Sequence, residues 1–141
     1  MRAHADDDSI RTRRAKFESG GKPVNLEIFA RADDAKHPAV IVLHGAGGIW
    51  LDGRVVREFA SRLAGHGYTA LVVHYFERTG TSFANDEKIF AHFQEWRTTI
   101  SDAVTFATQQ PEVDGSKVGL FGYSLGAFLS LAEAALDTRV G

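Results

Sequence analysis

The sequence predicts an α/β fold, a mostly parallel sheet with helices on both faces and antiparallel edge strands at its amino-terminal side. Three observations carry this reading. From residue 39 to residue 136, apolar runs of strand length alternate with stretches whose apolar residues recur at helical spacing. The run Ala39 to Leu43 is apolar throughout, as in a parallel strand covered on both faces. And the short apolar strand Val118 to Phe121 runs directly into Gly122-Tyr123-Ser124-Leu125-Gly126, a sharp glycine-flanked turn that opens on a helical pattern.

The elements follow in order. Residues 1–13 are polar, with Asp6-Asp7-Asp8 and then Arg11 and Arg13, and read as a flexible amino-terminal arm. Residues 14–19 and 24–30 are two strands about the turn Ser19-Gly20-Gly21-Lys22, expected to pair antiparallel as the sheet's edge. In the second strand Val24, Leu26, Ile28 and Ala30 alternate with Asn25, Glu27, Phe29 and Arg31, and Phe29 interrupts the polar set. Asp33 to Pro38 is a loop before strand 39–43, and His44-Gly45-Ala46-Gly47-Gly48 follows that strand. From Gly53 to Ala64, Val55, Val56, Phe59, Ala60 and Leu63 mark a helix that Gly65-His66-Gly67 ends. Tyr68 to Val73 is the next strand, and His74 to Ala84 a loop at its carboxyl end.

Asn85 or Asp86 caps a long helix on which Ile89, Phe93, Trp96, Ile100, Ala103, Val104 and Ala107 share a face, closed by Pro111. Asp114-Gly115 turns into strand 118–121. Leu125 to Leu136 is the last helix, and Asp137 to Gly141 the loop into a further strand. This succession requires parallel strands joined by right-handed crossovers.

A chain of 141 residues with 44% hydrophobic and 24% charged residues suits one globular domain. Its net charge of −2 offers no electrostatic footprint for nucleic acid or an anionic membrane surface. The absence of cysteine excludes disulfides, thiolate metal sites and a cysteine nucleophile. No apolar run approaches the roughly 18–20 residues of a membrane span, and the amino terminus lacks the apolar stretch of a signal peptide. Cytoplasmic location is the default expectation.

The order of parts resembles the α/β-hydrolase superfamily: strand, His44-Gly45 loop, helix, strand, long loop, helix, strand, serine elbow, helix. Within it, Asp102 to Ala107 and then Gln110 to Gly126, ending Lys117-Val118-Gly119-Leu120-Phe121-Gly122-Tyr123-Ser124-Leu125-Gly126, are similar to the dienelactone hydrolase family. The likeness spans about residues 15–141 and is to the amino-terminal part of such a domain, so 14–141 is expected to be an incomplete α/β-hydrolase domain. Founding members of the family carry cysteine where this chain has Ser124, and a glutamate where it has Gly45. The His-Gly-x-Gly form resembles general esterases and lipases.

Ester cleavage by this route needs a nucleophile, a base, an acid that orients the base, and donors for the oxyanion. Ser124 is the expected nucleophile, and Leu125 N–H, at the start of the new helix, one oxyanion donor. The resemblance makes Ala46 N–H the second donor, with Gly47 the alternative, and gives His44 a supporting role in that loop. A phosphate loop is the rival reading of His-Gly-Ala-Gly-Gly, but the lysine and spacing are absent. Tyr123 and Trp50 are candidate pocket walls, and His74 a candidate lining residue of the cleft. Arg78 falls near where dienelactone hydrolases place an arginine that meets a substrate carboxylate, which implies an anionic substrate.

In this superfamily the acid and then the histidine follow the serine. No histidine follows Ser124, and the carboxylates that do, Glu133 and Asp137, read as surface charges. The expectation is therefore a serine hydrolase of a carboxylic ester or lactone, acting through an acyl-enzyme, inactive or nearly so as this chain alone. No metal or organic cofactor is implied. The alternatives are a non-catalytic α/β-hydrolase-like binding module and an inactive fragment. Ending at Gly141 would leave strand 118–121 as an open edge, and self-association through that edge is expected.

Overall fold

The computed structural model describes residues 10–141. Five strands form one sheet: β1 (Ile10–Ser19), β2 (Lys22–Arg31), β3 (His37–Leu43), β4 (Thr69–Val73) and β5 (Val113–Gly122), in spatial order β1-β2-β4-β3-β5. β1 pairs antiparallel with β2, and β2 antiparallel with β4. β4, β3 and β5 are mutually parallel. The connections between the parallel strands are α1 (Gly48–Gly65) and α2 (Asp86–Thr108), and α3 (Leu125–Leu136) follows β5.

Both faces of the parallel strands are covered, which explains their unbroken apolar runs. Ile41, Leu43, Leu71 and Val73 share one buried layer with Trp96, Ile100 and Val104 of α2 and Leu129 of α3. Val42, Ala70 and Val72 share the other with Val56, Ala60 and Ala64 of α1. Successive strand residues thus enter opposite cores. β2 follows the same rule, and this is why Phe29 breaks its expected polar face. Phe29 packs in the α1 layer, while Leu26 and Ile28 pack in the other.

Three boundaries differ by more than two residues from the sequence expectation. β1 begins at Ile10, inside the stretch expected to be a flexible arm; the rest of that stretch, residues 1–9, lies outside the described residues. Arg13 holds this end of the strand by a bidentate pair with Glu112, its Nε donating at 2.8 Å and Nη2 at 3.0 Å. α1 starts at Gly48 rather than Gly53. Its first turn presents Trp50 and Leu51 to solvent, so the apolar periodicity that marks the helix begins only after that turn.

β5 begins at Val113, and the Asp114-Gly115 turn is a bulge within it. Pro38 pairs with Asp114 and the next residue, Ala39, with Val118, so Gly115 to Lys117 are looped out of the ladder. Asp114 Oδ1 accepts from Ser116 N–H and Oγ to close that loop.

α2 is capped as expected, with Asn85 Oδ1 accepting from Lys88 N–H at 2.9 Å and Asp86 and Glu87 in the first turn. After α3, Val140 forms a parallel bridge with Val118 on the outer edge of β5, which meets no other strand among the described residues. Among the described residues, no helix is long and apolar enough to cross a membrane. The carboxyl ends of β3, β4 and β5 lie side by side, and the loops that leave them build the site.

Candidate active site

Two residues, Tyr123 and Ser124, join the end of β5 to the start of α3, and the sharp turn falls on Ser124. It holds φ 56° and ψ −114°, the sole positive φ outside glycine among the described residues. A conformation this sparsely populated costs about 1–3 kcal/mol and persists only where the surroundings over-determine it. Here they do. Tyr123 N–H donates to Leu43 O at 3.0 Å, Gly126 N–H to Tyr123 O at 2.9 Å, and Ala127 N–H to Ser124 O at 2.8 Å. The two flanking glycines make the turn possible. A Cβ on Gly122 would strike the carbonyl of Gly126, and one on Gly126 the carbonyls of Leu43 and His44. Ser124 is left exposed, and its Oγ makes no hydrogen bond to any described residue.

The loop after β3 lies against this elbow. A Cβ on Gly45 would sit 3.0 Å from Tyr123 O and 3.1 Å from Ser124 Cβ, so only glycine permits the approach. Nearly every backbone group of the loop is engaged. Tyr75 Oη–H donates to His44 O at 2.6 Å. Gly45 N–H donates to Asp52 Oδ2 at 2.9 Å. Gly45 O accepts from Gly48 N–H and from His44 Nδ1–H, the latter at 2.7 Å. Ala84 N–H donates to Ala46 O at 2.9 Å. The N–H groups of Ala46 and Gly47 donate to no described residue. Leu125 N–H, at the first position of α3, has no intrahelical acceptor. Leu125 adjoins Ser124 in the chain, and the Gly45 end of the loop packs against it.

His44 is a fully buried support of the loop. Its ring stacks on Tyr75 at 4.2 Å and 8° and meets Phe76 edge-on at 4.6 Å. Burial lowers its pKa to about 4, so the ring is neutral at pH 7. Since Gly45 O is an acceptor only, the proton sits on Nδ1, and Nε2 is left buried without a partner. Burial in turn raises the Tyr75 hydroxyl well above its usual range, aided by the nearby Asp52 charge.

The other expected site residues separate into two groups. Trp50 and His74 come together with His44 on a small cavity of about 140 Å³, whose wall also includes Phe76, Thr81 and Ser82. Tyr123 is half exposed beside Ser124. Arg78 is not on that wall. Its Nη1 donates to Ser19 Oγ at 3.1 Å and Thr99 Oγ1 at 3.3 Å, and Gly20 packs directly on the guanidinium. It ties the β1–β2 turn to α2. A larger cavity of about 580 Å³, lined by Arg11, Arg31 and Pro111, lies at the other end of the strands and takes no part in this site.

His74 is itself held by a carboxylate. Its Nε2–H donates to Glu27 Oε2 at 2.7 Å, and Arg57 donates to the same carboxylate through Nε at 2.8 Å and Nη2 at 3.0 Å. Burial alone would push the Glu27 carboxyl up, but the hydrogen bonds and charges of His74 and Arg57 outweigh it and hold the group at about 2. β3 separates β4 from β5, so His74 stands about two strand spacings, roughly 10 Å, from the elbow. Its Nε2 is engaged by Glu27 on β2, the strand on the far side of β4 from the elbow.

Sequence reasoning missed Asp52, Tyr75 and the role of Glu27, whose partners are brought in only by folding. It also placed Glu133 and Asp137 on the surface, and this is corrected. Glu133 is 1% exposed, faces Arg97 of α2 at 3.1 Å, and is coupled to Asp137, which Arg139 holds at 2.7 Å. Among the described residues, no group of three or more His, Asp or Glu side chains is gathered as a metal site.

Known proteins resemble this chain in sequence and in fold. The sequence model of the dienelactone hydrolase family matches residues 27–141. The chain belongs to the dienelactone hydrolase family. Human acyl-coenzyme A thioesterase 6 is 32% identical over 114 residues, covering 80% of this chain and 24% of that protein. The solved structure of m3DLH superimposes with a TM-score of 0.81 at 25% identity, over 94% of this chain and 57% of that one. The dienelactone hydrolase-like promiscuous phosphotriesterase P91, from metagenomic libraries, superimposes with a TM-score of 0.80 at 24% identity, over 94% of this chain and 56% of that one. This chain therefore spans about a quarter of such curated relatives and a little over half of the solved domains.

Proposed function

We propose that this family member is a serine hydrolase of carboxylic esters, with lactones and thioesters in the same chemical class. The observation that carries the proposal is Ser124, among the described residues the one non-glycine held at positive φ, exposed at the head of a helix beside a loop with free N–H donors. In the proposed reaction Ser124 Oγ attacks the carbonyl carbon while a base takes its proton. The tetrahedral oxyanion is held by the N–H groups of Ala46 and Leu125, with Gly47 N–H the alternative to Ala46. Collapse expels the alcohol or thiol and leaves an acyl group on Ser124, and water then releases the acid. Trp50 and His74 would line the substrate side of the oxyanion loop, and Tyr123 its mouth. Thioesters are included on the name of the human relative.

The base is not His44, whose buried ring spends its proton on Gly45 O, nor His74, whose Nε2 is held by Glu27 on the side away from the elbow. Without one, an oxyanion hole and nucleophile sustain only residual catalysis, on the order of 10³–10⁴ over water. The test is hydrolysis of p-nitrophenyl acetate by the 141-residue chain and by Ser124→Ala, with mass spectrometry of the quenched protein. The proposal expects slow, Ser124-dependent turnover and an acetyl group on the Ser124 peptide. Equal turnover in the variant, or acetylation elsewhere, would sink it and favour a non-catalytic binding module, a reading to which the unpartnered Ser124 Oγ lends weight.

A further inference from the structure

An oxyanion hole works only if its N–H groups are already aimed when charge develops. Gly45 and Gly47 make the loop after β3 conformationally permissive, so something must fix the peptide planes between them. The bonds of the loop show what does. The peptide joining His44 to Gly45 is held at both ends, its carbonyl by Tyr75 Oη–H at 2.6 Å and its N–H by Asp52 Oδ2 at 2.9 Å. The next peptide has its carbonyl turned to His44 Nδ1 and Gly48 N–H. Because the peptide is trans, Ala46 N–H must then point the opposite way, out of the loop.

Asp52 is the one charged side chain in this set. It lies one turn into α1 and folds back over the loop, so that a Cβ on Gly45 would stand 3.0 Å from its Oδ2 and one on Gly47 2.8 Å from its Oδ1. The Gly45 N–H bond is charge-assisted and correspondingly strong. We propose that Asp52 is a positioning residue of the oxyanion hole: by clamping Gly45 N–H it prevents the His44–Gly45 and Gly45–Ala46 peptides from turning, and so keeps Ala46 N–H aimed beside Ser124. Asp52 touches no reacting atom; it acts through the backbone of Gly45. The inference rests on the hydrolase reading for its catalytic consequence, but the clamp itself does not.

The test uses Asp52→Ala, Asp52→Asn and Ser124→Ala in the 141-residue chain, with two readouts. In p-nitrophenyl acetate hydrolysis, Asp52→Ala lowers kcat about 10²-fold with KM little changed, the cost of misaiming a group without touching the substrate. Asp52→Asn keeps an oxygen that accepts Gly45 N–H and recovers part of the loss. By NMR, the Gly45 amide proton of Asp52→Ala moves upfield and exchanges roughly ten-fold faster, as one charge-assisted bond is lost.

A wild-type kcat in Asp52→Ala beside a dead Ser124→Ala overturns the positioning role. A fall confined to KM does the same. If Ser124→Ala hydrolyses as well as wild type, the hydrolase reading fails, and the Gly45 amide alone decides whether the clamp exists. An amide unmoved in both Asp52 variants refutes it.

Discussion

Replacing Glu27 by glutamine should change stability at neutral pH and change it progressively less in acid. Glu27 is 6% exposed and receives three donors, two from Arg57 and one from His74. These hold its carboxyl at about 2 against an ordinary 4.5. A folded-state pKa below the unfolded one means that the unfolded chain binds the proton more readily. The associated stability is thus complete above the ordinary value and drains away as pH falls from about 4.5 toward 2. A difference of about 2.5 pH units corresponds to about 3 kcal/mol. Glutamine keeps the shape but has no charge to lose, and so has no such pH dependence.

Thermal unfolding followed by circular dichroism at pH 7, 4 and 3 is the assay. At pH 7 the variant should melt about 10 °C lower, taking about 3 kcal/mol and the entropy of a domain of this size. The gap should narrow by about a quarter at pH 4 and by more than half at pH 3. Arg57→Met, which leaves His74 as the remaining donor, should show a smaller gap with the same direction of pH dependence. Two melting curves that stay parallel from pH 7 to pH 3 would refute the argument, because the pair would then owe its stability to packing and not to charge.

Two other substitutions separate fold from site. Gly126→Ala puts a methyl group into the carbonyls of Leu43 and His44, a backbone clash that neither strand nor elbow can relieve; a loss above about 4 kcal/mol, read as failure to give soluble folded protein, is expected. Arg78→Ala should lower the melting temperature by unpinning the β1–β2 turn from α2, while the ratio of kcat/KM for an anionic lactone and a neutral ester stays as in wild type; a changed ratio would return Arg78 to the substrate.

What could be read from the sequence is what is local. The elbow is legible because strand, glycine, serine, glycine and helix lie within nine residues, and strain at Ser124 needs no partner from afar. The parallel strands are legible because burial on both faces leaves an unbroken apolar run. α1 was seen late because its first turn is exposed, and an exposed turn has no apolar stripe to detect. Phe29 looked like a flaw in the alternation of β2. It marks the strand's second buried face, on which Glu27 also meets Arg57 and the ring of His74. The same polar residue is a surface charge or a buried pair according to what the helix across the sheet supplies.

Glu133 and Asp137 press that argument furthest. One turn apart, Glu133 in the last turn of α3 and Asp137 just past its end, they look alike in the sequence, two acids about the end of an alanine-rich run. Folding treats them in opposite ways. Burial and the neighbouring Asp137 raise the Glu133 carboxyl, against the pull of Arg97 from α2. Arg139, two residues on, instead holds Asp137 well below the usual carboxylate range. Of the two, Glu133 is the harder to ionise, where charge would be costliest, and Asp137 the easier, where a guanidinium lies at 2.7 Å. The type of each group is written in the sequence. Which of them ionises the more readily depends on the burial of Glu133, which only the packing of α3 brings about, set against Arg139 beside Asp137.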